Sequence, residues 1–287
     1  MYELIGAAGH TFYIDCPTKV GLYVDGNEAF AIDGGGDKDA AKKILRHLEG
    51  KNLRAVYLTH SHADHIGGCA TLFERSGCAI FAPEIECAFT QYPILEPISL
   101  YGGRPPRELH HKFLLAKESP AQPLGAMPDG WEAIPLYGHS PAMTGYRTPD
   151  DVVFLGDCLS SEGTLEKYPI GYLYDVGQYL DTLDKVAAMH AALFVPAQAP
   201  ATTDIAPLAQ KNRQAVLAVA EQIAAFCEQP VGFDELLAKL FDHYGMAMTV
   251  QQHALVGSTV RSYLSYLCDT KRLSMSVCDN QMRWQKA

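Results

Sequence analysis

The chain has 287 residues, of which 48% are hydrophobic and 20% are charged. This composition is typical of globular proteins and excludes disordered and fibrous architectures. No apolar run approaches the roughly 20 residues that a membrane-spanning helix needs, so no membrane partner is expected. Lys and Arg number 23 against 33 Asp and Glu, and the resulting net charge of −10 argues against a nucleic-acid partner, whose phosphates need clustered positive charge.

The N-terminus and the cysteines predict the compartment. The N-terminus has no basic or apolar leader segment, so the chain is expected to be cytoplasmic. Eight cysteines are spread along the chain without a Cys-x-x-Cys pair. Cysteines with this spacing are typical of small buried hydrophobic residues in a reducing compartment, and we expect neither disulfides nor a thiolate metal site.

Strands and helices are predicted to alternate along most of the chain. Four segments between residues 2 and 32 alternate in polarity, as consecutive antiparallel strands do. Further strands are expected at 54–59, 79–81, 131–136, 152–155 and 193–195, and helices at 38–48, 179–192 and 205–226. This order predicts an α/β fold in which helices pack against a mixed sheet.

One segment differs from this pattern of alternating strands and helices. Residues 93–130 contain seven of the 17 prolines and the adjacent His110 and His111. Long connections in compact domains are usually functional or mobile, so we expect an insertion near a site.

A second unit is predicted after Gln229-Pro230. Helices are expected at 233–244 and 249–268, followed by a β-hairpin over 272–284. This order is the outline of a winged helix, and it predicts a C-terminal domain over residues 230–287. The unit has six basic and five acidic residues. We expect it to pack against the rest of the chain, where it shapes the entrance of a site or a homodimer contact.

The stretch Thr59-His60-Ser61-His62-Ala63-Asp64-His65-Ile66-Gly67-Gly68 predicts a metal site. It follows a buried strand and therefore lies at the edge of the sheet where ligands bind in such folds. In an extended segment His60 and His62 point to the same side, so two imidazoles face one point. Asp64 and His65 lie where the chain turns into a helix, and they offer an oxygen and a nitrogen to a second point.

This stretch resembles the signature of the metallo-β-lactamase-fold hydrolases, a group that includes glyoxalase II, lactonases and several nucleases. The resemblance covers roughly residues 1–228 and implies a four-layer αββα sandwich over residues 1–229. Other motifs of the family match in order, namely Asp33 before a glycine-rich turn, Gly138-His139-Ser140, and Phe154-Leu155-Gly156-Asp157.

The resemblance implies a centre for two metal ions. The first would be held by His60, His62, His139 and Asp157, and the second by Asp64, His65 and Asp157, while Asp33 would support the metal loop. The last motif departs from the family, because Gln198 stands where a histidine is expected. An amide is a poorer zinc ligand than an imidazole, so we predict one tight zinc ion and a weak second site.

The prediction for function is a metal-dependent hydrolase of a small ester, thioester or lactone. A bound ion lowers the pKa of its water to about 7, and Asp64 would orient that water or take its proton. One alternative is a mononuclear iron enzyme similar to the persulfide dioxygenases of the family, which would use His60, His139 and Asp157. The others are an RNA-processing nuclease and a non-catalytic binding protein. Iron and manganese are the alternatives to zinc as the bound metal.

Overall fold

The structure is a computed structural model that describes residues 2–287. Its larger sheet has seven strands in sequential order. These are β1 (Glu3–Ala8), β2 (Thr11–Asp15), β3 (Val20–Asp25), β4 (Glu28–Ile32), β5 (Asn52–Tyr57), β6 (Ala79–Ala82) and β7 (Ala121–Pro123). Strands β1 to β4 pair antiparallel through tight turns, and β4 to β7 pair parallel. The change to parallel pairing requires crossover connections, which are helical between β4 and β6.

The second sheet has four strands in the order β11, β10, β9, β8. They are β8 (Glu132–Pro135), β9 (Thr144–Arg147), β10 (Val152–Phe154) and β11 (Leu193–Val195). The two sheets face each other across an aromatic-rich core that includes Tyr57, Trp131, Tyr146 and Phe154. Each sheet therefore has one face buried against the other sheet and one face left for helices.

Helices cover both outer faces. On the larger sheet, α1 (Lys38–His47) and α3 (Cys69–Ser76), the latter preceded by the short α2 (Ala63–Ile66), bury side chains such as Ile44 and Leu72. On the smaller sheet, α7 (Val176–Ala187) and α8 (Ala206–Phe226) form a second core with the outer side chains of β8 and β10. The expected four-layer αββα sandwich is confirmed.

Several elements differ from the sequence predictions. Helix α7 begins three residues earlier than expected, because Asp175 caps it by accepting a hydrogen bond from the Gln178 backbone nitrogen. It ends at Ala187 rather than at 192, since the chain turns there towards β11. Outside residues 93–130, three short elements were not predicted, namely α4 (Glu86–Gln91), α6 (Glu162–Lys167) and β9.

The segment 93–130 has regular structure of its own. It contains α5 (Leu95–Tyr101), a single 3₁₀ turn (Arg107–Leu109) and β7, which extends the larger sheet beside β6. Leu100, Leu109 and Leu114 bury against Ala254 near the C-terminal end of the chain. This segment therefore connects the sandwich to the C-terminal helices.

The C-terminal part comprises α9 (Phe233–His243), α10 (Val250–Asp269) and a hairpin of β12 (Leu273–Cys278) and β13 (Gln281–Lys286). Its side chains Leu237, Val260 and Trp284 belong to the same hydrophobic core as Leu183 of α7 and Val219 of α8. The succession of helices and hairpin is as expected. The winged-helix assignment and the boundary at residue 229 stay predictions. Among residues 2–287, no helix has both the length and the apolarity to cross a bilayer.

Candidate metal centre

The candidate residues all follow the carboxyl ends of strands. The loop with His60 and His62 follows β5, Gly138-His139 follows β8, Asp157 follows β10 and Gln198 follows β11. This edge is where open sheets that contain parallel strands place their ligands. Close backbone packing holds two of the loops in position. A Cβ at Gly138 (φ +116°) would lie 2.3 Å from the Tyr179 nitrogen, and one at Gly68 would lie 2.2 Å from the Gly34 carbonyl oxygen. Only glycine fits at these positions.

Three imidazoles converge on one point. The Nδ1 atom of His62 lies 3.0 Å from Nε2 of His60 and 3.0 Å from Nε2 of His139. Their rings are nearly perpendicular to one another, and one nitrogen from each lies within 4.8 Å of the others. Neutral imidazole nitrogens are common ligands of zinc and of other divalent transition metals.

A second group shares His60 with the first. It consists of His60, His65 and Asp157, whose candidate atoms also lie within 4.8 Å of one another. Nε2 of His65 lies 3.0 Å from Oδ1 of Asp157, yet neither buried atom has a hydrogen-bond partner of adequate geometry. This ion pair places two possible metal-ligand atoms, an imidazole nitrogen and a carboxylate oxygen, side by side. The other oxygen of Asp157 is 3.9 Å from Nε2 of His139, which connects the two groups.

The environment sets the protonation of these histidines in the metal-free protein. Burial, with the neighbouring histidines, holds the pKa of His60 well below its ordinary value, and burial likewise lowers the pKa of His62 and of His139. Burial also opposes the charged form of His65, but Asp157, Asp33 and Asp64 together raise the pKa of His65 well above the ordinary value. The first group is therefore neutral and ready to bind a cation, whereas His65 must release a proton to do so.

Asp33 is buried and bonds to both parts of the motif. Its carboxylate accepts hydrogen bonds from the backbone nitrogen and the hydroxyl of Thr59, at 2.7 and 2.9 Å. Nδ1 of His65 lies 2.7 Å from Asp33, and Nδ1 of His60 lies 3.0 Å from the Thr59 hydroxyl. Because these contacts engage Nδ1 of each ring, Nε2 of His60 and of His65 faces the cluster. Such contacts orient ligating histidines in metal sites.

Asp64 lies beside the two groups and is not a member of either. One of its oxygens accepts hydrogen bonds from the Thr18 hydroxyl at 2.8 Å and from Nε2 of Gln198 at 3.0 Å. The same Gln198 nitrogen donates to Asp157 at 2.8 Å. The amide of Gln198 therefore joins the two carboxylates that were predicted to hold the second ion.

Glu86 is a residue of the site that the sequence did not indicate. Its side chain is fully buried. One oxygen accepts hydrogen bonds from the backbone nitrogen and hydroxyl of Ser61, and the other accepts from the hydroxyl of Ser140 and the backbone nitrogen of Ala142. Ser61 lies between His60 and His62, and Ser140 follows His139. One carboxylate thus fixes the two loops that carry the three converging imidazoles.

Two further side chains approach the histidines from outside the motifs. Oε1 of Glu96 on α5 lies 3.8 Å from Nε2 of His62. Burial, together with the charge of Glu86, raises the pKa of Glu96 to about 8. The ring of Tyr172 packs edge-on against His62, with centroids 5.1 Å apart, and against His139. The segment 93–130 therefore approaches the histidines through Glu96.

The histidine pair of that segment lies farther out. His110 is exposed, whereas His111 is half-buried and lines a cavity of about 400 Å³ together with His62 and Asp64. Nε2 of His111 is buried and has no hydrogen-bond partner. Neither histidine belongs to the two groups of candidate ligands among the described residues.

The residues present fit a divalent metal ion. The first group supplies three neutral imidazole nitrogens, which is a ligand set of catalytic zinc sites. The second supplies an imidazole nitrogen and a carboxylate oxygen that lie 3.0 Å apart. Oxygen and nitrogen donors of this kind suit zinc, iron and manganese alike, so the donor set does not select one of them.

The sequence model of the metallo-beta-lactamase superfamily matches residues 13–198. This range contains every candidate ligand, and the protein belongs to that superfamily. Two solved structures resemble nearly the whole chain. A beta-lactamase domain protein from Burkholderia ambifaria superposes with a TM-score of 0.75 and 19% identity over 99% of this chain and 94% of that one. A metallo-beta-lactamase family protein from Thermus thermophilus gives a TM-score of 0.74 and 18% identity over 99% and 98%. At these identities the likeness concerns the fold.

Curated relatives are similar over shorter ranges. The probable metallo-hydrolase YybB of Bacillus subtilis is 33% identical over 82 residues, which are 27% of this chain and 37% of that protein. A hydroxyacylglutathione hydrolase of Albidiferax ferrireducens is 28% identical over 171 residues, or 58% of this chain and 55% of that protein. The chain thus spans about half, or less, of the length of these relatives.

Proposed function

We propose that this protein is a metal-dependent hydrolase that acts on a small ester, thioester or lactone. The observation that carries the proposal is the convergence of three imidazoles, in which Nδ1 of His62 lies 3.0 Å from Nε2 of both His60 and His139. The similarity to a hydroxyacylglutathione hydrolase, an enzyme named for hydrolysis, supports the reaction class.

We assign the tight metal site to these three histidines and the adjacent Asp157. When bound there, a divalent ion supplies a Lewis acid and lowers the pKa of its water to about 7. Asp33 and Thr59 would hold the ring of His60 so that Nε2 faces the ion, and Glu86 would hold the two histidine loops at a fixed separation. Asp64, partly exposed beside the cluster, would accept a proton from the attacking water.

The contacts of Gln198 support a weaker second site. Its amide nitrogen already occupies one oxygen of Asp64 and one of Asp157, and His65 holds a proton in the metal-free protein. A second ion would have to displace the Gln198 amide from the two carboxylates and the proton from His65. We therefore propose one tight ion, with zinc as the first candidate. We also propose a cytoplasmic location, as the sequence predicts, and a homodimer stays a prediction.

Metal analysis and a substrate panel test this proposal. Protein purified without added metal should contain about one equivalent of zinc and hydrolyse at least one of a simple thioester, an ester and a lactone. His62→Ala should lose that metal and that activity, while His10→Ala, at an exposed histidine in the turn between β1 and β2, should keep both. Unchanged metal content in His62→Ala would refute the assignment.

Metal content, oxygen consumption and RNA binding test the alternative functions that the sequence predicts. Iron as the bound metal, with oxygen consumption on a persulfide, would favour the dioxygenase. Salt-dependent RNA binding would favour the nuclease. Against the nuclease, the guanidinium of Arg261, a basic residue of α10, already packs over the Phe233 ring at 3.8 Å.

A further inference from the structure

The connection between β2 and β3 contacts the candidate metal centre through two neighbouring side chains. Thr18 is buried, and its hydroxyl donates a hydrogen bond to Asp64, which lies 46 residues away in the chain. Lys19 contacts the loop after β11 that carries Gln198. Neither Thr18 nor Lys19 belongs to the motifs that carry the superfamily resemblance. Tertiary packing therefore brings this connection to two of the residues that bear on the second metal site.

Two donors engage the same oxygen of Asp64. Its Oδ2 atom accepts from the Thr18 hydroxyl at 2.8 Å and from Nε2 of Gln198 at 3.0 Å. The same Oδ2 atom faces the second group of candidate ligands, since it lies 3.7 Å from Nε2 of His65. A carboxylate oxygen accepts about two hydrogen bonds, so both acceptor positions of this atom are taken. A cation can bind to it only when it displaces one of the two donors.

The loop that carries Gln198 is held on both sides of that residue. The backbone nitrogen of Lys19 donates to the Ala197 carbonyl at 3.1 Å, and the Lys19 ammonium donates to the Ala199 carbonyl at 2.9 Å. The side chain of Lys19 is only 12% exposed. A lysine is rarely buried to this extent unless its charged group has a partner. These contacts fix the backbone from which the Gln198 amide reaches the two carboxylates.

We infer that Thr18 and Lys19 are positioning residues that set the number of metal ions at this centre. Thr18 takes one acceptor position of Asp64 Oδ2, and Lys19 holds the Gln198 amide on the other. Because hydrogen bonds already stabilise the carboxylate charge, a second ion gains less there than at a free carboxylate. The inference rests on the proposed function, since it concerns the one-ion form of the proposed hydrolase. It extends the control of the second site to a connection outside the metal-binding motifs.

Thr18→Val tests the hydroxyl, because it keeps the shape of the side chain and removes the donor. Oδ2 of Asp64 then retains only the hydrogen bond from Gln198. We expect the affinity for a second Co²⁺ ion to rise about tenfold, since one charge-assisted hydrogen bond no longer competes with the ion. Thr18→Ser is the matched control. It keeps the hydroxyl and should keep the affinity of the unmodified protein.

Lys19→Met is an independent variant that keeps the apolar stem and removes the ammonium. The loop that carries Gln198 then loses its hydrogen bond at the Ala199 carbonyl. The affinity for a second Co²⁺ ion should rise about threefold, less than in Thr18→Val because the effect is indirect. Lys51→Met is its matched control, since Lys51 is exposed and also donates to a carbonyl, that of Gly26, at 2.7 Å. It should leave the affinity for either ion unchanged.

Titration of the metal-free protein with Co²⁺ measures the affinities for the first and second ions. Visible absorption reports the number of bound ions, and calorimetry gives each dissociation constant. The first affinity should be the same in all of these proteins, while the second rises in Thr18→Val and Lys19→Met. Loosening of the structure alone would instead weaken the first ion as well. If Thr18→Val does not fold, Lys19→Met decides the question.

A second affinity that is unchanged or weaker in either folded variant would overturn the inference. Two equally tight ions in the unmodified protein would overturn it too. Failure to hydrolyse any ester, thioester or lactone would instead count against the proposed function. The Co²⁺ titration does not depend on hydrolysis and would still decide the roles of Thr18 and Lys19.

Discussion

The amide nitrogen of Gln198 donates a hydrogen bond to Asp157 at 2.8 Å, across the position where the superfamily resemblance implies a second metal ion. The same nitrogen also bonds to Asp64 at 3.0 Å. A donor between two carboxylates stabilises their negative charge without a cation. The amide of Gln198 thus stabilises the two carboxylates that were predicted to hold a second ion.

The first prediction is that Gln198→His raises the affinity for a second ion. The substitution replaces a hydrogen-bond donor with an imidazole and leaves Asp64 free of one of its two partners. We expect the unmodified protein to keep about one zinc equivalent after dialysis against a weak chelator and Gln198→His to keep about two. Elemental analysis measures both.

Gln198→Asn is the matched control, since it keeps the amide and shortens its reach. It should bind no more than the one equivalent. If the unmodified protein already holds two ions at low free metal, other side chains complete the second site, and the unpartnered Nε2 of His111 in the adjoining cavity is the first candidate.

The second prediction concerns Glu86. Glu86→Ala removes the acceptor of four hydrogen bonds from Ser61, Ser140 and Ala142, so the two histidine loops lose their common support. Metal affinity should fall about 10- to 100-fold, as it does when partners of ligating residues are removed. Competition with a chromophoric chelator measures this change.

Glu74→Ala is the control for Glu86→Ala, because Glu74 is exposed and pairs only with Lys117 at the surface. Its metal affinity should be unchanged. Equal affinities for the unmodified protein and Glu86→Ala would show that the loops are held by their own packing.

Much of the fold and part of the site could be predicted from local sequence. The apolar pattern of the sequence indicates the strands that precede His60, His62, His139 and Asp157. Because these strands end at the same edge of the sandwich, the four side chains come together. Glu86 could not be found in this way. Its partners Ser61 and Ser140 lie 25 and 54 residues away, it stands on a six-residue helix, and its only local signal is an acid among apolar neighbours. Ser258 and Ser262 of α10 line a cavity together with His62. This placement also depends on tertiary packing, which periodicity does not specify.

The third prediction is a pH dependence of stability that originates at Glu96. Its pKa rises from 4.5 to about 8 on folding, chiefly through burial. Between these values the folded state binds more protons than the unfolded state, so the free energy of unfolding falls as pH rises. The slope from this group is at most about 1.4 kcal/mol per pH unit.

Metal-free protein tests this linkage. Glu96→Gln cannot ionise, so its unfolding free energy should exceed that of the unmodified protein by an amount that grows from pH 5 to pH 8. Urea unfolding at several pH values in the presence of a chelator measures the difference. A constant difference across this range would show that Glu96 keeps an ordinary pKa.

The fourth prediction is that the C-terminal part is required for a stable fold. Leu236, Leu240 and Val260 are fully buried in one core with Val219 and Ile223 of α8. Removing residues 230–287 would expose this face of α8, and a contiguous apolar patch of that kind promotes aggregation. We expect the fragment 1–229 to be aggregated or to lose cooperative unfolding, whereas the whole chain should unfold in one transition because the core is continuous.

A point substitution tests the contribution of this core to stability without removing residues 230–287. Leu240→Ala should destabilise the protein by about 2–5 kcal/mol, the range for a large-to-small change at a buried position. Met275→Ala, at an exposed position of the hairpin, should change stability by no more than about 0.5 kcal/mol. Thermal unfolding of the two variants provides the comparison. A fragment 1–229 that is as stable and active as the whole chain, with Leu240→Ala near neutral, would mean that the sandwich folds on its own and that the C-terminal part is an independent domain.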